Sequence, residues 1–346
     1  MLKRVAYVYK WATMGGVERV LLNRAEAFKA READVSICVN FLNDTGGRAP
    51  FEAYIKRRGL SDYIQVVDSL KHDDFDTVVS IDTPEVLNDL PAKFDRLAFE
   101  CHTHYDNNRQ YLKMLPASVR WIGVPSETFR KTIAREYGEF GGRLCLLRNF
   151  LPEVEPPRLS IKPPAWTKRP IVYVGRVDHH KNLTELMDAL AIYRKRHGDT
   201  FVLAVLGQIA DEIDIKQEIT KRQLSDRTVI YPPVSFDRIP TFLQMIRERG
   251  GIFVSCSQGE TFALSAAEAI AMRIPSVLSN IDAHRHLVDG IEDFLYPLGA
   301  PEVLADRMFR LSANYEASSA RLAPLRFRFG SEIFIKDWNE IQERFV

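Results

Sequence analysis

Short apolar runs alternate with amphipathic segments along the whole chain. Runs of this length between polar turns predict buried strands, and their alternation with helices predicts βα units and a mostly parallel sheet. The predicted strands are residues 4–9, 35–41, 65–67, 77–81, 97–101, 121–124, 143–147, 171–174, 201–206, 227–231, 252–256 and 276–278. The predicted helices are residues 17–31, 128–137, 183–196, 235–249, 264–272, 302–311 and 331–345.

A proline-rich segment, residues 152–170, interrupts this alternation with six prolines. Proline fixes the backbone and donates no ladder hydrogen bond, so the segment is typical of a linker. The pattern therefore predicts two α/β domains, residues 1–152 and 171–328. A linker at 153–170 joins them, and a final helical segment at 329–346 follows.

Length and composition fit that division, because 346 residues are long for one core. The chain is 46% hydrophobic and 27% charged, and its net charge of +1 favours no nucleic-acid partner. No apolar run approaches the ~20 residues of a membrane span, and the opening strand pattern predicts no signal peptide. Four cysteines lie in or beside predicted strands, so we expect buried free thiols and a cytoplasmic location: Cys38, Cys101, Cys145 and Cys256.

Two glutamates stand eight residues apart in the stretch 252–280. Glu260 falls in the loop after a predicted strand, and Glu268 falls about one turn into the next helix. Open parallel sheets bind ligands at the carboxyl ends of their strands, and the amides of a helix start can receive an anion. A carboxylate one turn further in can accept hydrogen bonds from vicinal hydroxyls, such as those of a ribose.

Two cations follow the first predicted strand of the second domain. Arg176 and Lys181 lie between that strand and a helix start, where a guanidinium and a compact ammonium suit a pair of phosphates. The alternative is a solvated basic turn. Gly207 follows the next predicted strand.

Adjacent glycines, Gly15 and Gly16, separate the first predicted strand from the first helix. They allow the backbone to come close to a ligand, although a plain tight turn is the alternative. The spacing is not G-x-G-x-x-G, which argues against a nicotinamide-dependent oxidoreductase.

Two histidines, His102 and His104, follow the predicted strand 97–101 in the sequence ECHTHYD. On a strand end their side chains would point the same way. Three interpretations are open. They are a metal pair for which no third ligand is apparent, structural or solvent-facing histidines, or a functional histidine that positions a hydroxyl or moves a proton.

Taken in order, these motifs resemble those of retaining glycosyltransferases with the GT-B fold, especially family 4. GGVER resembles the glycine loop of that family, GRVDHHKNL its donor-diphosphate motif, and GETFALSAAEA its E-x7-E motif. The family usually has glycine where this chain has Thr261, Ala263 and Arg273. The resemblance implies an α/β GT-B fold, in which two doubly wound Rossmann-like domains face a central cleft and the last helix crosses back to the first domain.

The resemblance also implies roles for single residues. Glu268 would hold the ribose and Gly207 would line the nucleotide pocket. His102 aligns best with the family histidine that contacts the donor sugar, with His104 as the fallback. His104 and Asn149 are the candidates on the acceptor side. The groups that would meet the donor diphosphate are Arg176, Lys181, the Gly15–Gly16 loop and the backbone near Phe262, Ala263 and Leu264. The expected catalytic set is His102, Glu260, Arg176 and Lys181.

The implied reaction moves a hexose-type sugar from a UDP- or GDP-linked donor to a hydroxyl of a glycan or lipid-linked saccharide. By resemblance it retains the anomeric configuration, requires neither a metal nor a separate cofactor, and serves bacterial surface-polysaccharide or glycoconjugate assembly. We expect a cytoplasmic enzyme with peripheral contact at the inner face of the membrane, and no nucleic-acid partner. The alternatives are a GT-B sugar-nucleotide epimerase and an inactive sugar-nucleotide-binding protein.

Overall fold

The computed structural model describes residues 2–91, 94–152 and 167–345, which divide into two compact units. Unit 1 comprises residues 1–153 and 330–346, and unit 2 comprises residues 154–329. Most of the predicted linker, residues 153–166, lies outside the described part of the chain.

Unit 1 contains a seven-stranded parallel sheet in the order β3-β2-β1-β4-β5-β6-β7. Helices cover a sheet of this kind on both faces, so its strands can be buried throughout, as β4 is. The strands are β1 Lys3–Ala12, β2 Val35–Asp44, β3 Ile64–Val66, β4 Thr77–Ile81, β5 Leu97–Glu100, β6 Ile122–Val124 and β7 Leu144–Leu146. The first four helices are α1 Gly16–Ala30, α2 Arg48–Arg58, α3 Val86–Asp89 and α4 Glu127–Tyr137.

Unit 2 contains a six-stranded parallel sheet in the order β10-β9-β8-β11-β12-β13. Its strands are β8 Arg169–Val174, β9 Phe201–Leu206, β10 Thr228–Tyr231, β11 Ile252–Ser255, β12 Ser276–Ser279 and β13 Leu295–Tyr296. Its helices are α5 Leu183–His197, α6 Ile215–Lys221, α7 Ile239–Glu248, α8 Leu264–Ala271, α9 Asp282–Leu287, α10 Pro301–Ala313 and α11 Tyr315–Leu322. This order makes β8 and β11 neighbours, so the loops at their carboxyl ends adjoin.

The last helix, α12 Ser331–Phe345, belongs to unit 1. Its buried Phe334 stacks on Phe150 with ring centroids 4.9 Å apart and lies 5.5 Å from Phe28. Trp338 packs edge-on against Phe28 at 5.4 Å, whereas Phe345 is only partly buried. The aromatic stripe of this helix therefore contributes to the core of unit 1 chiefly through its first two members.

Two sequence predictions differ from the structure in ways that matter for the site. The predicted strand 97–101 ends at Glu100, so His102 and His104 lie in irregular chain. The argument that a strand directs both side chains the same way therefore fails. The predicted helix 235–249 begins as an α-helix only at Ile239, after a 3₁₀ turn, because Pro240 is suited to the first helical turn.

The sequence predictions did not include the elements α2, α3, α6, α11 and β13. Residues 45–47 form only a short turn between β2 and α2, which begins at Arg48. The helix α2 exposes most of its length and carries three basic residues in its last turn, so its apolar stripe is short and consists of Phe51, Tyr54 and Ile55. The strand β13 has two residues, too few to show a period.

The cysteines match their prediction, since Cys38, Cys101, Cys145 and Cys256 are all buried free thiols. Among the described residues, no helix is both long and apolar enough to cross a membrane.

Candidate functional site

The loops after β8 and β11 are bound to each other at the carboxyl edge of the unit 2 sheet. The Lys181 ammonium donates to Glu260 Oε1 at 2.5 Å, and His180 Nε2 donates to the Gly259 carbonyl at 2.7 Å. In the opposite direction, Gln258 donates two hydrogen bonds to the loop after β8. Its backbone N–H donates to His180 O at 2.9 Å, and its side chain donates to His179 O at 3.1 Å. The strand order thus joins two motifs that lie 79 residues apart in the sequence.

A buried carboxylate, Asp178, folds the loop after β8. Its Oδ2 accepts from Arg176 Nε at 2.5 Å, and its Oδ1 accepts from the Lys181 backbone N–H at 2.7 Å. The Arg176 side chain remains 55% exposed. Both cations expected at a diphosphate are therefore present at this edge, and each already pairs with a carboxylate.

Glu260 is ionised in this setting. Burial alone would raise its pKa, but the charge of Lys181, the nearby His284 and a hydrogen bond from Ser257 Oγ at 2.8 Å hold the pKa below its usual value. A carboxylate only accepts hydrogen bonds, which suits an environment of hydroxyl groups. Removing Lys181 would leave this carboxylate poorly compensated.

The loop after β11 turns into α8 through backbone that favours glycine. Ala263 precedes the helix with φ +68°, and Arg273 follows it with φ +57°. These are two of the places where the resembling family has glycine, and side chains there bear a conformational cost of about 1–2 kcal/mol each. Phe262 is buried edge-on against Phe329 at 6.3 Å, while Leu264 begins the helix and Glu268 lies one turn further in, partly exposed.

Gly207, directly after β9, touches the backbone at the end of β8. A Cβ on Gly207 would lie 1.8 Å from the Gly175 carbonyl oxygen and 2.7 Å from its carbon. Only glycine fits this contact, which sets the distance between the loops after β8 and β9.

One residue of this region, His284 on α9, was missed by the sequence predictions. Its Nδ1 lies 3.0 Å from the Ser279 carbonyl, so Nδ1 carries the proton, and Ser279 Oγ donates to the Ser257 carbonyl at 2.6 Å. Burial lowers the pKa of His284 to about 4. Its buried Nε2 has no hydrogen-bond partner among the described residues. A histidine just after a predicted strand was the signal available in the sequence.

The glycine loop of unit 1 already holds a negative charge. The buried Glu18 carboxylate accepts from the N–H groups of Thr13 at 2.5 Å, Met14 at 2.9 Å and Gly15 at 3.0 Å, and from the Thr13 hydroxyl at 3.0 Å. In this conformation the Gly15 amide is therefore committed to Glu18, and the expected role of that amide at a diphosphate requires Glu18 to release it. Gly16 is the first residue of α1.

His102 lies beside the end of β5, where its Nε2 is 2.7 Å from Glu100 Oε2. Its backbone N–H donates to Asp82 Oδ2 at 2.9 Å, and Tyr111 donates to Asp82 Oδ1 at 3.0 Å. Burial raises the pKa of Asp82 to about 6. His102 is thus held at both its ring and its backbone.

The other two candidate residues of unit 1, His104 and Asn149, have other partners than His102 has. The His104 ring lies 6.4 Å from Phe129, and its carbonyl accepts from Arg109 at 2.8 Å. Asn149 is buried with its N–H on the Pro125 carbonyl at 3.0 Å, and its Oδ1 has no hydrogen-bond partner among the described residues. Within residues 2–91, 94–152 and 167–345, no three acidic, histidine or cysteine side chains form a potential metal site.

Comparison with known proteins connects unit 2 to a family. Residues 160–323 match the family model described as "Glycosyl transferases group 1". A probable sucrose-phosphate synthase 4 of Oryza sativa subsp. japonica is 25% identical over 157 residues, which cover 38% of this chain. The chain matches only 15% of the length of that rice protein.

Solved structures resemble the chain over nearly its whole length. A mutant of S. aureus TarM, in complex with fondaparinux, alpha-GlcNAc-glycerol and UDP, has a TM-score of 0.77 at 11% identity, covering 98% of this chain and 99% of that one. Anabaena HepE in complex with UDP and glucose has a TM-score of 0.76 at 14% identity, with 99% of each chain covered. The chain has the GT-B fold, and its residues 160–323 are similar to the glycosyl transferases group 1 family.

Proposed function

We propose that this protein transfers a sugar from a nucleotide-sugar donor to a hydroxyl of a saccharide acceptor. The observation that carries the proposal is the Lys181–Glu260 pair, which joins the loops after β8 and β11 within the region that matches the glycosyltransferase family. TarM and HepE, which share the fold, have been solved in complex with UDP, so we propose a UDP-linked donor ahead of a GDP-linked one.

The proposed chemistry is stabilisation of the leaving group. As the glycosidic bond breaks, negative charge grows on the diphosphate, and Arg176 and Lys181 are the cations that would meet it. Arg176 now pairs with Asp178, and Lys181 with Glu260. Each cation would bind the diphosphate either together with that carboxylate or in place of it. Glu260 would accept hydrogen bonds from sugar hydroxyls and Glu268 from the ribose. Retention of configuration, a hexose-type sugar and independence from metals complete the proposal.

We assign the acceptor, a glycan or lipid-linked saccharide, to unit 1. Such acceptors belong to surface-polysaccharide or glycoconjugate assembly, at the cytoplasmic face of a bacterial membrane. These finer assignments rest on resemblance alone.

The test is calorimetric titration of the purified protein with UDP, GDP, dTDP and CMP. We expect one of them to bind, and Glu268→Ala to weaken it about ten- to a hundredfold, because a hydrogen bond to a charged group contributes about 1.5–3 kcal/mol. Glu302→Ala, an exposed change in the same unit, is the control.

Three outcomes would contradict the proposal or part of it. No binding of any of the four would oppose the donor site, and unchanged affinity in Glu268→Ala would oppose the ribose assignment. Binding with formation of an epimer, rather than release of the nucleotide, would identify an epimerase.

A further inference from the structure

Three buried polar side chains support Glu260 from the interior of unit 2. Ser257 follows β11, Ser279 ends β12 and His284 lies on α9, and none of them is more than 2% exposed. We call these three residues the serine–histidine network. The His284 Nδ1 hydrogen lies between the Ser279 carbonyl at 3.0 Å and Ser279 Oγ at 3.1 Å. Ser279 Oγ donates to the Ser257 carbonyl at 2.6 Å, and Ser257 Oγ donates to Glu260 Oε1 at 2.8 Å.

The network and Lys181 bind the same oxygen of Glu260. Lys181 and Ser257 both donate to Oε1, and the carboxylate makes no other hydrogen bond with the described residues. The side chain is 14% exposed. The last torsion of a glutamate side chain is otherwise broad, so two donors on one oxygen select a single orientation of the carboxylate. Oε2 is then the oxygen available to a ligand.

The histidine of the network is retained at a cost in stability. Its Nε2 is buried and has no hydrogen-bond partner among the described residues, and an unpaired buried polar atom costs free energy. An apolar side chain in this place would avoid that cost. The bond from Nδ1 is therefore what His284 supplies and an apolar residue could not. Because burial lowers the pKa of His284 to about 4, the imidazole donates this bond near neutral pH without adding a positive charge beside Lys181.

We propose that the serine–histidine network positions the Glu260 carboxylate for the donor sugar, so that Oε2 accepts a hydrogen bond from a sugar hydroxyl. The three members are positioning residues, since they act through Glu260. The proposal rests on the proposed glycosyltransferase function and deepens it, because it assigns selectivity for the sugar to residues that do not touch the sugar. Loss of the network should therefore weaken binding of a sugar nucleotide but not of the nucleotide alone.

The near end of the network is tested with Ser257→Ala, which removes the hydroxyl that donates to Glu260. Wild type and variant are titrated calorimetrically with UDP and with UDP-glucose, UDP-galactose and UDP-N-acetylglucosamine. If another nucleotide is the one that binds, that nucleotide and its sugar derivative are the probes. We expect the affinity for the best sugar nucleotide to fall about two- to tenfold, as loss of one hydrogen bond predicts, and the affinity for the nucleotide to stay unchanged.

Ser276→Ala is the matched control. Ser276 is also a fully buried serine of β12, and its Oγ donates to the Ile274 carbonyl at 2.8 Å rather than to a member of the network. The control therefore loses one buried hydrogen bond in the same sheet. It should leave the ratio of the two affinities at its wild-type value.

The far end of the network is tested with two substitutions of His284. An asparagine amide can donate close to the place of Nδ1, whereas a leucine cannot donate at all. We expect His284→Leu to weaken the sugar nucleotide about two- to tenfold relative to the nucleotide, and His284→Asn to restore most of that loss. A histidine with a purely structural role would change the free energy of unfolding and leave the ratio of affinities constant.

The outcomes separate this proposal from the proposed function. An unchanged ratio of affinities in Ser257→Ala would overturn the positioning role, and so would an equal loss for nucleotide and sugar nucleotide. Either result would leave the glycosyltransferase function standing. Failure of the wild-type protein to bind any nucleotide would overturn that function and this proposal with it. If His284→Leu does not fold, Ser257→Ala decides.

Discussion

Replacing Gly207 with alanine should disturb the carboxyl edge of the unit 2 sheet more than its half-buried position in a loop suggests. The added Cβ would lie 1.8 Å from the Gly175 carbonyl oxygen, whereas favourable contacts of carbon lie near about 3.5–4.0 Å. Relieving the overlap means separating the loops after β8 and β9. Overpacking of this kind costs about 1–3 kcal/mol. The φ of +153° adds about 1–3 kcal/mol of backbone strain for a non-glycine residue.

Gly198→Ala is the matched control, because Gly198 lies in the same unit with φ +90° and nothing within 4 Å of a Cβ. It bears the backbone strain without the overlap. Gly207→Ala should therefore destabilise unit 2 by about 1–3 kcal/mol more than Gly198→Ala does. Hydrogen exchange of the amides in β8 and β9, followed in increasing urea, gives the free energy of opening of these two strands in both variants. Nucleotide affinity should also fall only in Gly207→Ala, because the loop carrying Arg176 moves.

Equal destabilisation by the two substitutions would refute this reasoning. It would mean that the loops after β8 and β9 separate without a loss of stability. The contact between Gly207 and Gly175 would then not set the distance between them.

Three further outcomes follow from the charges. Lys181→Ala should lower turnover at least about a hundredfold, as loss of a charge-stabilising donor does, whereas exposed Lys221→Ala should not; near-normal turnover would contradict the diphosphate assignment. Glu18→Gln should destabilise unit 1 by about 1.5–3 kcal/mol in urea unfolding, with exposed Glu343→Gln as the control. The glutamine oxygen can keep the bonds from Thr13 and Met14, but its NH2 group, in place of Oε2, cannot accept from the Gly15 N–H. Burial raises the pKa of Asp82 to about 6, so its folded-state pKa is the higher one and the free energy of unfolding should fall as pH rises from about 4 to 6. In Asp82→Asn the decrease in unfolding free energy between pH 4 and 7, measured from unfolding curves, should be smaller by about 1–3 kcal/mol. The same pH dependence in the wild-type protein and the variant would contradict this prediction.

Local patterns in the sequence were enough to predict most of the strands. Residues 201–206 were predicted as a strand and form β9 with those bounds, because a short apolar run between polar turns has few other stable states. The resemblance supplied the GT-B fold. Elements without a strong period, such as α2 and the two-residue β13, gave no such signal.

Tertiary structure decided the partners of the polar residues. Lys181 meets Glu260 because the sheet places β8 beside β11, and no spacing along the chain encodes that neighbour relation. Arg24 likewise pairs with Glu100, which lies 76 residues away in the sequence, because both are buried in the core of unit 1. Hydrophobic periodicity is a local property of the chain and can be read from it. Hydrogen-bond partners depend on strand order and burial, which exist only once the chain has folded.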